Sequence, residues 1–321
     1  LVAALFLFLA FWTLEHRWNP WWFIGLLGVY SLASGPMWGL LATISLTHLS
    51  HGERQYPLVR MAATIGWVAA GLALSYGLRG DVSPRAGYAG AAARLVAALM
   101  GFYLPFTPPL GRGTSWKSLL GFDAFSLLKQ RDHCVFFVVT ALFSIPLAAF
   151  YMYAPEHFRW LGNPRPTATM TIAQISEIIG MIFVGSVMLK FRIKTVLLTA
   201  LGLSAVRYGM SAYAGYSGIE GWHVAGIALH GICYTFYFIT AQVFLDRRVE
   251  SGLRGQAQGL LAFVSGGIGP FVGAWVCGWA RRVFVDENGN GWENFWGMLA
   301  GMILVCFGIF AFAYKGMRRV E

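Results

Sequence analysis

The sequence predicts an all-α polytopic membrane protein of about ten helices, and three observations carry that expectation. Of 321 residues, 57% are apolar and only 12% charged, against about a quarter charged in an ordinary soluble domain. The apolar residues collect in stretches of about twenty, long enough as helix to cross a hydrocarbon core of ~30 Å. These runs are long and show no alternation of period two, which argues against strands. A soluble protein has no use for so many, because its helices keep one polar face for water.

Taken in order, the candidate spans are 1–14, 22–47, 58–78, 87–107, 133–154, 167–189, 194–213, 222–243, 255–280 and 294–314. The first is short for a crossing. The second and ninth are long enough to tilt or break locally, and Gly266, Gly267, Gly269, Gly273 and Gly278 with Pro270 mark the ninth. Small residues there allow close helix approach, and the Gly–Pro step permits a bend. Cys134, Cys233, Cys277 and Cys306 all fall in or beside apolar runs without CxxC spacing. They suggest neither a metal site nor a disulfide framework. The chain enters its first apolar run without a basic region before it, so no signal peptide is expected.

Lysine and arginine in the connections orient the spans. One set of connections, with the tail, holds Arg54, Arg112, Lys117, Lys129, Arg131, Lys190, Arg192, Arg247, Arg248, Lys315, Arg318 and Arg319, with Lys194 and Arg254 at adjacent helix ends. The opposite set holds Arg17, Arg79, Arg85, Arg159, Arg165, Arg281 and Arg282. That is 14 against 7, which predicts that the first set and the C-terminus face the cytoplasm. The same retention explains the net charge of +10 without a nucleic-acid partner.

The longest connection, 108–132, opens with Pro108 and Pro109 and contains an amphipathic stretch from Trp116 to Leu128. Such a stretch is expected to lie along the membrane surface. Four spans precede this loop and six follow. Transporters built as two six-helix halves place their long cytoplasmic connection between the halves. The expected organisation is therefore residues 1–107 as the remainder of an N-terminal half, 108–132 as a central cytoplasmic loop, and 133–321 as a C-terminal half. On this arithmetic the chain is read as an N-terminally truncated twelve-span protein.

Polar groups inside apolar spans are the functional candidates. Glu177 lies near the middle of the span 167–189, whereas the thirteen other acidic residues fall in loops, at helix ends or in the tail. A carboxylate at that depth is costly unless it is neutralised, paired or hydrated. It is read as a proton-binding or substrate-binding group, the competing role being a structural lock between helices. Gln174 lies one turn before it on the same face. Arg207, inside 194–213, is read as an ion-pair or gating residue, open also to anion binding or to simple helix bracing. Arg60, Thr64 and Trp67 form one stripe of cation, hydroxyl and ring at the start of 58–78. Arg94 early in 87–107 reads as interfacial. In 222–243, His230, Tyr234 and Tyr237 run roughly along one face that could stack a flat ligand, or pack as aromatic core. His230 could also relay protons.

Enzyme chemistry finds no support. The spans hold no paired carboxylates, metal-spaced histidines or nucleophile elbow, and the chain has no lysine-containing phosphate loop, so no cofactor or metal and no nucleotide-driven motor are expected.

Several segments resemble one known family. V-R-M-A-A-T-I-G-W at 59–67, S-W-K-S-L-L-G-F-D-A-F-S-L-L-K at 115–129, A-Q-I-S-E at 173–177 and Q-A-Q-G-L at 256–260 look like the nucleoside:proton symporters of the major facilitator superfamily. The likeness runs in order from the first span to near the last, and places the chain on spans three to twelve of a twelve-helix major facilitator fold. It implies proton-coupled nucleoside uptake across the cytoplasmic (inner) membrane, with protons, a nucleoside and membrane lipid as partners and a monomer as the working form. It also implies that Arg60, Thr64 and Trp67 match the family's N-half binding face, and Gln174 and Glu177 its C-half glutamine and essential glutamate. Ala148 and Tyr151 stand where polar binding groups are expected, and His230, Tyr234 and Thr235 depart from a tyrosine, phenylalanine and aspartate. These departures leave a sugar or modified nucleoside as alternative cargo, and a non-transporting membrane sensor as the alternative class.

Overall fold

The computed structural model describes residues 1–78, 83–108 and 115–316. Arg79, Pro109, Arg112, Arg318 and Arg319, and the side chain of Lys117, lie outside the described residues. The described chain is helical, as the long apolar runs require. In order the helices are α1 (Val2–Glu15), α2 (Pro20–His48), α3 (Gly52–Leu72), α4 (Arg85–Met100), α5 (Trp116–Leu119), α6 (Arg131–Met152), α7 (Ala154–Trp160), α8 (Pro166–Lys190), α9 (Ile193–Ser217), α10 (Glu220–Tyr234), α11 (Thr240–Arg248), α12 (Arg254–Ala262), α13 (Gly269–Phe284) and α14 (Trp292–Ala313).

The expected ten spans are corrected to six. Among the described residues six helical stretches are long and apolar enough to cross a membrane: Pro20–His48, Arg131–Met152, Ala168–Lys190, Glu220–Arg248, Ser251–Phe284 and Trp292–Ala313. The reasons are physical. α1 has 14 residues and α4 has 16, which reach only about 21 and 24 Å at 1.5 Å per residue. α3 opens on Gly52-Glu53-Arg54-Gln55 and carries Arg60. α9 has Lys194 and Arg207 within its apolar run. Two of the six crossings are built from helical segments joined by π turns, Thr235–Ile239 between α10 and α11 and Phe263–Ile268 between α12 and α13.

The helices fall into two groups along the chain, α1–α4 before the central connection and α6–α14 after it. α1 lies between α2 and α4, and α2 adjoins α3. In the second group α6 packs on α13 and α14, α9 on α10 and α14, and α8 on α10. Close approach explains the glycines of α13. A Cβ on Gly269 would stand 2.2 Å from the Ser144 Cβ, and one on Gly273 would stand 2.6 Å from the Ile145 carbonyl oxygen. These contacts seat α13 tightly against α6. The amphipathic segment after residue 115 folds as α5 and a 3-10 turn, Phe122–Lys129. Gln256 of α12 holds it, donating to the Ser118 carbonyl at 3.2 Å and accepting from the Ala124 amide at 3.2 Å. Ala124 and Leu127 are buried in the second group's core, whereas Trp116 and Leu120 stay exposed.

Candidate functional site

The two groups meet along α2 with α12 and α3 with α8. Their close contacts gather toward the end that carries residues 49–51, 191–192 and 249–253. A Cβ on Gly39 of α2 would lie 3.0 Å from the Gly259 nitrogen of α12. Gly185 of α8 faces the Glu53 carbonyl oxygen of α3, where a Cβ would lie at 2.8 Å. The Tyr56 hydroxyl donates to Gln242 Oε1 at 2.8 Å, and Glu53 pairs with Arg247. Ala42, Leu46, Tyr56, Met181, Val184, Met188, Ile239 and Val243 form one apolar cluster drawn from both groups. α2 exposes Trp21, Trp22, Leu32, Trp38, Leu40 and Leu41 along its length, and α3 exposes Leu58, Val59 and Trp67.

Glu177 sits at the inner limit of this closure. Its Oε1 accepts from Thr64 Oγ1 at 3.0 Å, so the only intramembrane carboxylate foreseen in the sequence bridges α8 to α3. The neighbouring backbone is held by compact residues. A Cβ on Gly231 of α10 would stand 2.1 Å from the Glu177 amide nitrogen and 2.2 Å from the Ala173 carbonyl oxygen. Instead the Gly231 amide donates to Ser176 Oγ at 3.1 Å, and Thr235 Oγ1 donates to the Glu177 carbonyl at 3.3 Å. The carboxylate is thereby carried on a helix pair with no slack.

Around it stand two unused polar atoms. Arg60 Nε and Gln174 Oε1 are buried without hydrogen-bond partners. One is a donor on α3 and the other an acceptor on α8, both left unsatisfied near the contact between the groups. The Arg60 guanidinium lies over the Trp38 ring at 5.0 Å and reaches Tyr234 of α10. Sequence reasoning missed Trp38. No motif marks it, because its pairing with Arg60 links helices 22 positions apart in the chain and exists only once they pack.

The other predicted residues are placed as follows. Trp67 is exposed beyond Thr64 along α3, and Tyr234 is half-buried beside Arg60. Tyr237 is fully buried, its hydroxyl 3.0 Å from Thr140 Oγ1 inside the second group. His230 is buried and lies flat on Phe150, with ring centroids 3.6 Å apart and planes 2° from parallel. Arg207 is buried, donates to the Tyr208 hydroxyl at 2.6 Å, and makes no ion pair with Glu177. Tyr151, noted for its departure from the family pattern, is exposed. Arg94, read as interfacial, donates to the Tyr30 hydroxyl of α2 at 2.7 Å. Among the described residues no cluster of three or more metal-ligating side chains occurs.

Comparison with known proteins bears on the family and the fold. The family model described as nucleoside H+ symporter matches residues 1–319. The putative nucleoside transporter YegT of Escherichia coli strain K12 is 34% identical over 312 residues, covering 91% of this chain and 72% of that protein. The nucleoside permease NupG of the same organism is 26% identical over 310 residues, covering 90% and 74%. The crystal structure of nucleoside transporter NupG superposes with a TM-score of 0.70 at 25% identity, covering 98% of this chain and 81% of that one. The fucose:proton symporter FucP of E. coli, at 15% identity and a TM-score of 0.63 over 97% and 81%, shares the fold.

Proposed function

The chain belongs to the nucleoside H+ symporter family and is a proton-coupled nucleoside transporter of the inner membrane, and we propose that Glu177 is the group through which proton and nucleoside act on one another. The observation that carries this is the Thr64–Glu177 hydrogen bond between the two helix groups. A carboxylate that joins the groups where they close is placed to feel both a proton and their separation. Protonation changes what the carboxyl can accept from Thr64. A solute wedged beside it changes how near α3 and α8 can come. Both events then bias the same two-state equilibrium, which is the thermodynamic requirement for coupling.

In this reading Arg60, Thr64 and Trp67 contribute one wall of the binding cleft, and Gln174 and Tyr234 the other. The unpartnered Arg60 Nε and Gln174 Oε1 meet the hydrogen-bonding groups of the nucleoside, and aromatic faces take the base. Tyr237 and His230 stand behind Tyr234 and set its position from within the second group. Residues 1–107 and 133–321 act as the two moving halves, joined by the loop at 108–132. That loop and the C-terminus lie on the cytoplasmic side, as the lysine and arginine distribution argues. The closed end is then cytoplasmic, and the cleft between Trp38, Trp67 and Tyr234 opens outward. The transporter works as a monomer.

The test is uptake of radiolabelled uridine and adenosine into vesicles carrying the protein, with and without an inward proton gradient. Gradient-stimulated uptake of a nucleoside is the expected result. Folded, inserted protein whose nucleoside uptake ignores the gradient would refute the proposed coupling.

A further inference from the structure

Behind the wall that faces the cleft, the second helix group encloses a small space between α6, α9 and α10. Ser204, Arg207, His230, Cys233, Tyr234 and Phe238 line it, and it has room for one water-sized occupant. The space shares Tyr234 with the proposed nucleoside wall, and its other lining residues lie outside that wall.

Its charge is unbalanced. Arg207 is 5% exposed, near the middle of α9. Its Nη2 donates to the Tyr208 hydroxyl, which in turn donates to the Pro146 carbonyl. Its guanidinium carbon lies 4.0 Å from the Tyr208 ring centre and 5.5 Å from that of Phe150. None of these partners is negatively charged. Among the described residues the ion pairs join Arg247 to Glu53, Arg254 to Asp246 and Arg281 to Glu156, and Arg207 belongs to none. Glu177 is engaged by Thr64 and lies beside Arg60 instead. Ser204 Oγ is fully buried beside the Cys233 thiol of α10, with no hydrogen bond to another nitrogen or oxygen.

A buried guanidinium without a counter-charge is costly, and a membrane protein cannot rely on bulk water to relieve it. A water molecule would satisfy the hydroxyl and leave the charge. A monatomic anion cancels the charge, accepting from the guanidinium with the Ser204 hydroxyl as a second donor. The space is too small for a phosphate or carboxylate group. The His230 ring, flat against Phe150, leaves only its edge to meet an occupant. We propose that a halide ion, chloride under cellular conditions, binds on α9 between Arg207 and Ser204, in the space whose α10 side is His230, Cys233 and Tyr234.

The test uses the purified protein in detergent with chloride, bromide or gluconate at fixed ionic strength. Chloride and bromide, and not gluconate, raise the thermal unfolding midpoint saturably, by roughly 4 °C at a hundred times Kd. Ser204→Ala weakens the rise and Arg207→Gln removes it. Because Arg207→Gln can fail to fold, crystals of the unaltered protein grown in bromide give an independent readout, an anomalous peak between Arg207 and Ser204. No peak there in a well-ordered structure, or a midpoint indifferent to halide, overturns the site. A halide effect unchanged in Ser204→Ala and in folded Arg207→Gln overturns it as well. None of these readouts involves nucleoside uptake, so the anion site and the transport reading fail separately.

Discussion

Thr64 Oγ1 lies 3.0 Å from Glu177 Oε1, a contact between residues 113 positions apart that joins the two helix groups by one hydroxyl. A hydrogen bond to a charged group contributes about 1.5–3 kcal/mol. Thr64→Val keeps the side chain's shape and removes the donor. Gradient-driven nucleoside uptake should fall by roughly tenfold or more, with protein levels in the membrane unchanged. Thr64→Ser should restore most of it. Uptake by Thr64→Val equal to that of the unaltered protein would remove this bond from the mechanism.

Trp38 supports Arg60 from beneath, ring centre to guanidinium 5.0 Å. A cation–π contact contributes about 0.5–2 kcal/mol according to its exposure, and Trp38 is more than half exposed. Trp38→Ala should therefore raise the KM for nucleoside about three- to tenfold and leave the maximal rate within twofold. Trp38→Phe should recover much of the affinity. A lowered maximal rate at unchanged KM would show that the ring serves helix packing rather than Arg60.

Gly39 meets the backbone of Gly259, with an added Cβ 3.0–3.2 Å from three of the facing backbone atoms. Backbone cannot swing aside as a side-chain tip can. Gly39→Val should hold α2 off α12 and leave the closed end ajar, because the contact lies between the groups and not within either core. Uptake should drop more than tenfold, while a cysteine placed near Tyr56 becomes reactive from the side of the membrane that this end faces. A variant that is fully active and shows no gain in labelling would contradict the closure described above.

His157 gives a pH dependence of stability. It lies in the short helix α7, fully buried, accepting from Trp296 Nε1 at 2.9 Å with the His223 ring 4.4 Å away. Burial, with a smaller push from the His223 side, lowers its pKa from 6.5 to about 2. The folded protein then keeps it neutral while the unfolded chain takes up a proton below ~6.5. Stability is complete above that value and is lost as pH falls toward the folded value. Between pH 7 and 5.5 the loss should be about 1 kcal/mol. The thermal midpoint in detergent should fall over that interval, and His157→Gln should flatten part of the slope. An unchanged slope in that variant would assign the effect elsewhere.

Much of this was legible in the sequence, and the failures have physical causes. The helical membrane class follows from composition. Glu177, Gln174, Thr64 and Arg60 stand out because polar groups in apolar runs are expensive. The count of spans was overread because apolar character was weighed ahead of helix length, as α1 and α4 show, and ahead of the polar start of α3. His230 and Tyr237 shared an apparent face with Tyr234 on a regular helix. The π turn at Thr235–Ile239 and the packing of α10 against both α8 and α9 turn that face into core, leaving Tyr234 half-buried. Trp38 and the closure at Gly39 and Gly185 depend on which helices meet, and one sequence read alone does not state that.

The central claim is that Glu177 links proton to nucleoside, and it is tested most directly by comparing two assays of Glu177→Gln in the same proteoliposomes. One assay is accumulation of labelled nucleoside driven by an inward proton gradient. The other is exchange of labelled for unlabelled nucleoside at equal pH on both sides. The account predicts that accumulation is lost, by at least tenfold, while exchange persists, because glutamine can still accept from Thr64 and cannot carry the proton. Gradient-driven accumulation intact in Glu177→Gln would contradict the account and leave Glu177 a structural contact between the two groups.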